Sequence, residues 1–446
     1  MSRILKTLPW PVIALILGFL CPTELSLYLG GLRLPPYRII LLVVVPIALW
    51  KLCFAGKGTR LKAFDYFFFA FGAWIVFSFS MHPGDAGGIE AGGSQALDCI
   101  GGYLIARVYI RTIGQFVAAL KLLSGAVIVS GLIALPELFT GRHFAHEIMR
   151  AITGIHVPTD MGQRFGLTRA YGTFDHPIHL GTFSCALFAV FWYAASTWTG
   201  RLVRGGLVAI ATLTAISSAP ILGLLLQCGL IVWDMATRAI KGRVVLTIGA
   251  VVLALLTISA LSSRSVFTLI ATYLTLNPWT GYYRLLIWEN GIANVMAHPW
   301  IGIGLADWLR PIWMVSSSID AFWLVTAIRN GVPAIVLLVT AIALLGYAAA
   351  RVSRRHPDMI LRRYAKAWFI SLTAMVLVGC TVHFWNVLAC FFFFFLGLAG
   401  WIADPAPMRR PVAAGDPAVT TNGRRRRRRR KSRGRPVAVP GALQPA

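Results

Sequence analysis

Long apolar stretches, separated by short clusters of glycine, proline or charged residues, recur along residues 1–403 without the strict alternation that marks half-buried strands. A bilayer-crossing helix needs about 17 to 25 such residues. Stretches of this kind fall at about 9–29, 37–55, 64–81, 96–114, 116–138, 177–197, 203–217, 220–237, 244–262, 330–350, 364–382 and 385–403. The pattern predicts an all-α polytopic membrane protein with about 12 transmembrane helices. Only Ser218, Ala219 and Pro220 divide 203–217 from 220–237, so a single broken helix there is the alternative count. Two longer segments interrupt the regularity, at about 139–176 and about 263–329. Residues 404–446, rich in Pro, Ala and Arg, are expected to form a disordered tail.

Composition closes off the soluble classes. The 446 residues are 57% hydrophobic and 13% charged, with mean hydropathy +0.71, and 26 Phe, 15 Trp and 12 Tyr leave too little polar surface to cover a soluble fold. Charge then orients the helices. Of 42 Lys and Arg, 12 lie in the tail, including Arg424 to Arg430, where only 2 acidic residues oppose them. Every second connection is basic: Lys51, Lys57, Arg60 and Lys62; Arg107 and Arg111; Arg201 and Arg204; Arg238, Lys241 and Arg243; then Arg351 to Lys366. The positive-inside rule puts these loops, Arg3, Lys6 and the tail on the cytoplasmic side, so both termini are expected there. The tail reads as a contact for anionic lipid headgroups; no nucleic-acid-binding fold accompanies it. Arg3 and Lys6 before an apolar stretch imitate a signal peptide, but Glu24 interrupts and no A-x-A-like site follows, so a retained first helix is expected.

The two long segments then share the opposite side, and they hold most of the His, Trp and isolated Arg residues outside helix cores. Loops on a rigid scaffold are where chemistry concentrates. The first ends in RAYGTFDHPIHLG, Arg169 to Gly181, placing an arginine at a helix entrance, where its planar donor fork suits phosphate oxygens; a plain headgroup-binding arginine is the blander reading. The second contains Arg284, Trp288 and Ile292 at helical spacing, followed by His298-Pro299 and Gly302-Ile303-Gly304, in a short interfacial helix and loop. That G-x-G lacks the third glycine and preceding strand of a dinucleotide site. Asp320 then opens the segment DAFWLVTAIRNGVPA, either as a functional carboxylate or as a helix cap. His143, His146, His156, His176 and His179 crowd the first segment, yet no Cys or acidic cluster completes a zinc set, so no metal and no cofactor is expected. The seven cysteines all lie in apolar stretches without a C-x-x-C pair and read as small core residues. His383, near Trp385 and Asn386, reads as a polar residue at a helix end.

Three pieces, in this order, resemble the O-antigen ligase and O-antigen polymerase family of bacterial envelope glycosyltransferases: R-x-x-G-x-F-x-H-P at Arg169 to Pro177, the Arg284/Trp288 helix running into His298-Pro299-Trp300-Ile301-Gly302-Ile303-Gly304, and Asp320 to Ala334. In that family a His-Asn pair, nine residues, Gly, two residues and a small residue mark the outer mouth of a late helix. Counting from Gly331 puts Asp320 at the His position, Ala321 at the Asn position and Ala334 at the small position, so this chain departs from the pattern at the His. Phe322-Trp323 and Arg329-Asn330-Gly331-Val332-Pro333 resemble the exopolysaccharide-associated members.

The resemblance implies a metal-independent, inverting transferase of the bacterial inner membrane. It would act at the periplasmic face on undecaprenyl-diphosphate-linked oligosaccharide, with other polysaccharide-assembly proteins as possible partners. Arg169 and Arg284 would hold the diphosphate. Asp320, with His298 in reserve, would serve the acceptor hydroxyl, and His176, Trp288, Trp300 and Trp323, with Trp279, would line the sugar site. The acceptor separates a polymerase, which is favoured, from a ligase that delivers glycan to a lipid A-core. A lipid-linked-sugar flippase could use the same arginines without forming a bond, and a non-catalytic scaffold would need neither base. A flippase should carry several ionisable groups at mid-membrane depth.

Overall fold

The computed structural model describes residues 7–29, 32–54, 61–82, 87–157, 159, 162–262, 268–269 and 275–403. The expectations placed on Arg3, Lys6, Lys57, Arg60, parts of the two long segments and the Arg-rich tail lie outside these residues. The fold is 73% helical, and among the described residues six helices are long and apolar enough to cross a membrane, making this an all-α, multi-pass membrane protein. In chain order the helices are α1 (Trp10–Gly18), α2 (Pro36–Phe54), α3 (Ala63–Ser80), α4 (Gly88–Ala96), α5 (Gly102–Tyr109), α6 (Ile113–Thr140), α7 (Phe144–Thr153), α8 (Pro177–Ala186), α9 (Phe188–Ala194), α10 (Trp198–Leu213), α11 (Ser218–Ala236), α12 (Arg243–Leu261), α13 (Pro278–Ala297), α14 (Phe322–Arg355), α15 (Met359–Val378), α16 (Asn386–Leu398) and α17 (Gly400–Ala403). Two small antiparallel hairpins accompany them, β1 (Leu27–Leu29) with β2 (Leu32–Leu34) and β3 (Gln163–Arg164) with β4 (Leu167–Thr168).

Several expected spans change shape. The stretch 9–29 is helical only to Gly18; Pro22 and a short turn lead into the first hairpin, whose extended backbone ends the helix. In the stretch 96–114 a π turn at Leu97–Gly101 joins the end of α4 to α5, which stops at Tyr109. The ambiguous pair around Pro220 is two helices, because residues 214–217 leave helical geometry and Ile216 takes φ +40°.

Helix α16 is the centre of the bundle. Its five phenylalanines, Phe391 to Phe395, make it apolar all round, and every residue from Val387 to Leu398 is buried, as such a helix requires. Phe19 meets Phe391 and Phe394 edge-on, Phe71 stacks on Phe393 at 5.8 Å, and Phe183 and Phe322 reach Phe391 and Phe392. Helix α5 comes closest, because Gly102 faces the Cys390 carbonyl and Gly397 faces that of Tyr103, leaving no room for a Cβ on either.

Charges inside this frame are paired. Arg38, near the start of α2, binds Asp98 through two bonds of 2.9 and 2.5 Å. Asp65, near the start of α3, takes two bonds from Arg107 at 3.0 and 3.1 Å and the Tyr103 hydroxyl. Arg107, read from the sequence as a loop charge, is thus a buried partner, and only 3% of its surface is exposed.

The long helix α14 is not continuous. Gly331, with φ +80°, breaks it, and the loop after α13 fills the gap: Ile303 N–H donates to the Ile328 carbonyl at 2.8 Å, Gly304 to Arg329 at 3.1 Å, and Val332 to Pro299 at 2.8 Å. A Cβ on Gly331 would strike the Trp300 carbonyl, and one on Gly302 the Arg329 backbone. Trp74 of α3 donates to the Asn330 carbonyl at 2.8 Å, and the Asn330 amide to Ser78 at 2.9 Å.

Arg107→Ala would take from buried Asp65 its counter-ion, leaving it the Tyr103 hydroxyl and the Lys62 N–H, and is expected to cost about 3–5 kcal/mol. The double change Asp65→Asn with Arg107→Gln should recover part of that loss. Thermal unfolding in detergent micelles checks both; an undiminished melting temperature for Arg107→Ala would contradict the pairing.

Candidate functional site

The segment from Arg164 to Pro177 is held from three sides. The Glu137 carboxylate of α6 accepts the Tyr171 and Gly172 N–H groups at 2.8 and 3.0 Å. Gly172 takes φ +59°, and a Cβ there would press on the Ser130 carbonyl, which explains the glycine in the turn. His146 of α7 bridges Glu24 at 2.7 Å and the Phe174 carbonyl at 2.8 Å, and Ala170 N–H donates to Thr214. His143 also faces Glu137, at 3.4 Å, while His156 is exposed. Two of the crowded histidines, His143 and His146, are therefore struts, and among the described residues no three His, Cys, Asp or Glu are arranged to hold a metal.

This scaffold buries arginines. Arg169 is 6% exposed; its Nε reaches the Ala215 carbonyl at 3.4 Å, and its Nη2 is buried without a hydrogen-bond partner. Arg164, on the small hairpin, donates to the Ile216 carbonyl at 3.0 Å. Between them the two arginines hold the 214–217 turn, including the strained Ile216, a feature that clusters at functional sites. Arg284, on α13, is also 6% exposed, and its Nε is likewise buried and unpartnered. The three feel one another: burial, then Arg164 and Arg284, pushes Arg169 down to about 10, and burial with Arg164 lowers Arg284. The acidic influence on Arg284 is Asp320, whose carboxylate accepts the Ser318 hydroxyl at 2.7 Å. Asp320 thus answers Arg284, while buried donors on Arg169 and Arg284 go unused. An unpaired buried charge is costly. An anion with several oxygens would satisfy this arrangement.

Next to the arginines lies a second cluster. Asp175 accepts from His179 Nδ1 at 2.8 Å and from the Asn386 amide at 2.9 Å. The Trp385 ring lies 3.9 Å from that of His179, and His179 Nε2 is buried without a partner. With its Nδ1 proton committed to the carboxylate, the ring presents a lone pair at Nε2, the tautomer being assigned from these bonds. Burial raises Asp175, but His179 and Asn386 outweigh it and hold the carboxyl down to about 2. His176 accepts the Ile178 N–H at 3.0 Å, and burial, with Arg169, pushes it down to about 3, so it is neutral at pH 7. His176 therefore links the arginines to the dyad. His383 is also pushed down to about 3, by burial and then by Arg329. It lines a 440 Å³ cavity together with Asp307 and Arg329.

The structure brings Arg169, Arg284, Asp320 and His176 into one region. It does not bring His298 there: that residue is exposed beyond the end of α13, 14 positions from Arg284, or about 21 Å of helix. Trp288 and Trp323 are pinned by bonds from their indole nitrogens to the Cys380 and Val376 carbonyls. Trp300, 74% exposed, lines an apolar 590 Å³ cavity with Trp74, Val332, Pro333 and Val336. Trp279 is exposed beside Tyr282. The sequence reading missed four participants. Arg164 lies in a stretch with no motif, and Asn386 is 211 residues from Asp175. Asp175 and His179 had a signal, four positions apart where a helix begins.

No protein-family model matches the chain, and no curated protein sequence matches it.

Histidines whose folded pKa lies far below 6.5 contribute stability that is complete above about pH 6.5 and is lost progressively as the pH falls toward 3, because only the unfolded chain binds the proton. The melting temperature is expected to fall over that window. His176→Asn, which keeps a capping acceptor for Ile178 but cannot titrate, should flatten the fall; an unchanged pH profile would show His176 to be protonatable in place.

Proposed function

We propose that the protein is a membrane-embedded glycosyltransferase that polymerises undecaprenyl-diphosphate-linked oligosaccharide at the periplasmic face of a bacterial inner membrane. In this reading about 12 spans leave both termini in the cytoplasm. The observation that carries it is the trio Arg164, Arg169 and Arg284, in which Arg169 Nη2 and Arg284 Nε are buried with no protein group to satisfy them. A diphosphate is the leaving group that such donors suit: negative charge grows on its bridging oxygen as the glycosidic bond breaks, and preorganised donors stabilise that growth without reorganising. No nucleotide sugar or metal is needed in this scheme. The wholly apolar cavity at Trp300, on the flank of α14, suits part of a polyprenyl chain.

The acceptor hydroxyl must lose a proton. Asp320 occupies the position where the resembled family has His, and it lies within electrostatic reach of Arg284. His179 offers a buried, unpartnered Nε2 oriented by Asp175, the arrangement of a general base. We assign the proton to His179 and give Asp320 the task of holding Arg284 and aligning the acceptor. A flippase would use the same arginines, but the paired charges Arg38–Asp98 and Asp65–Arg107 sit near helix ends and are consumed by each other, so they do not make a polar path at mid-depth.

The test is incubation of the purified full chain with a lipid-diphosphate-linked oligosaccharide, alone and with added acceptors, with product length read by gel and mass spectrometry. Longer glycan on the same lipid is expected. Arg284→Ala and His179→Ala should each lower the rate by about 10²-fold or more, and Asp320→Ala by less. Removing residues 404–446 should leave the rate within about twofold, since the proposed chemistry lies wholly within the helical domain. Transfer only to an added acceptor would make the protein a ligase, and no bond formation under any pairing would remove the enzyme reading.

A further inference from the structure

A second concentration of charge lies at the other end of the bundle. Helix α11 begins at Ser218, beside the turn that Arg164 and Arg169 hold, and reaches Asp234 16 residues later, about 24 Å away. Helix α14 likewise runs from Phe322, near Asp320, to Arg355. Around Asp234 the ends of α9, α11, α14 and α15 enclose a cavity of 640 Å³. Its wall carries Arg201, Arg238, Arg243, Arg354, Arg362, Arg363 and Lys366, and Asp234 is the acidic residue among its lining.

Asp234 is already engaged. Lys366 reaches both of its oxygens at 2.9 Å, Arg243 reaches one at 2.9 Å, and the Tyr193 hydroxyl donates to the other at 2.8 Å. The remaining arginines lean on neutral carbonyls: Arg201 and Arg363 on Ala195, Arg238 on Met235, Arg354 on Ala350 and Arg362 on Ser353. A carbonyl orients a guanidinium and occupies some of its five donors, but it does not neutralise the charge. A topological preference for cations at this end accounts for their presence on connecting loops. It does not account for their convergence on one concavity, where like charges repel and the field is focused.

We infer that this cavity is a binding site for a phosphate-bearing anion, independent of the arginine trio at the opposite end. Its volume lies in the range of small-ligand pockets. Its wall combines several guanidinium forks, which suit phosphate oxygens bidentately, with the apolar edges of Met235, Met359 and Ile360. That mixture fits a ligand with an anionic head and an apolar neighbour, and the shared chemistry is a phosphate monoester or diester, whether it arrives on a lipid or from solution. In the topology proposed above this end faces the cytoplasm, where anionic headgroups are plentiful.

The experiment places the full chain in nanodiscs of phosphatidylcholine alone, of phosphatidylcholine with a diphosphatidylglycerol lipid, and of phosphatidylcholine with inorganic diphosphate in solution, and reads the melting temperature at physiological salt. Two variants accompany the native chain: Arg238→Gln with Arg354→Gln, which takes two charges from the cavity wall, and Lys51→Gln with Arg111→Gln, which takes two charges from exposed positions outside it. Stabilisation by the anionic lipid, at least halved in the first variant and kept in the second, is expected and assigns a headgroup. The same pattern with soluble diphosphate also supports the site and assigns a free phosphate ligand. Equal loss in both variants would show diffuse surface attraction, and no response to either anion would show that no such site exists; each of these overturns the inference. Loss of the folded protein in the first variant without ligand is separated from loss of binding by the melting temperature in phosphatidylcholine alone.

Discussion

In a hydrocarbon surrounding, a broken helix must find new partners for every backbone group the break releases. The break at Gly331 meets that demand with the loop after α13, whose N–H and C=O groups pair with those of residues 328–332 while Trp74 and Ser78 take up Asn330. This join ties α3, α13 and α14 together. Helix α13 packs its Gly291 against Leu324 and its Ile287 into a small core with Trp308, Met314 and Ala321, and that packing fixes Arg284 relative to Asp320. The glycines at 302, 304 and 331 are positions where backbone approaches backbone or takes positive φ, and side chains would separate the pieces.

Burial treats charge in two opposite ways within this frame. Arg38 and Arg107 each meet a carboxylate with good geometry, so their desolvation is offset and they brace α2, α3 and α5. Arg169 and Arg284 are buried to a similar degree, yet each keeps a nitrogen with no acceptor. Such groups cost stability in the free protein, and a fold retains that cost where a ligand offsets it. The strained Ile216, held by Arg164, lies in the same place. Frame and site are thus distinguished by whether the buried charge is answered from within the chain.

The sequence made the frame largely legible because hydropathy reports a helix's surroundings: Phe391 to Phe395 announce a buried centre, and Arg169 and Arg284 stand out as polar residues at helix mouths. It was less informative where long-range packing decides. The hairpin that ends α1 at Gly18 depends on tertiary context, and Arg107 looks like a loop cation until Asp65, 42 residues earlier, is seen beside it. The G-x-G of residues 302–304 is weak as a nucleotide motif because it has another task, meeting a helix break 27 residues further on, from Gly304 to Gly331. His298 was drawn toward the site by its neighbours in sequence, whereas the helix that carries Arg284 leads away from it.

The position of Asp320 gains meaning from the same geometry. A carboxylate beside a guanidinium is engaged in answering its charge, whereas an imidazole whose Nδ1 proton is held by a carboxylate has its Nε2 lone pair directed outward. Asp320 acts on Arg284, and His179, oriented by Asp175, is free at Nε2. Neutral His176, 6.0 Å ring to ring from that imidazole, adds no further cation to the three arginines. In the proposed reaction the base would therefore stand at the start of α8, while Asp320 at the mouth of α14 answers Arg284.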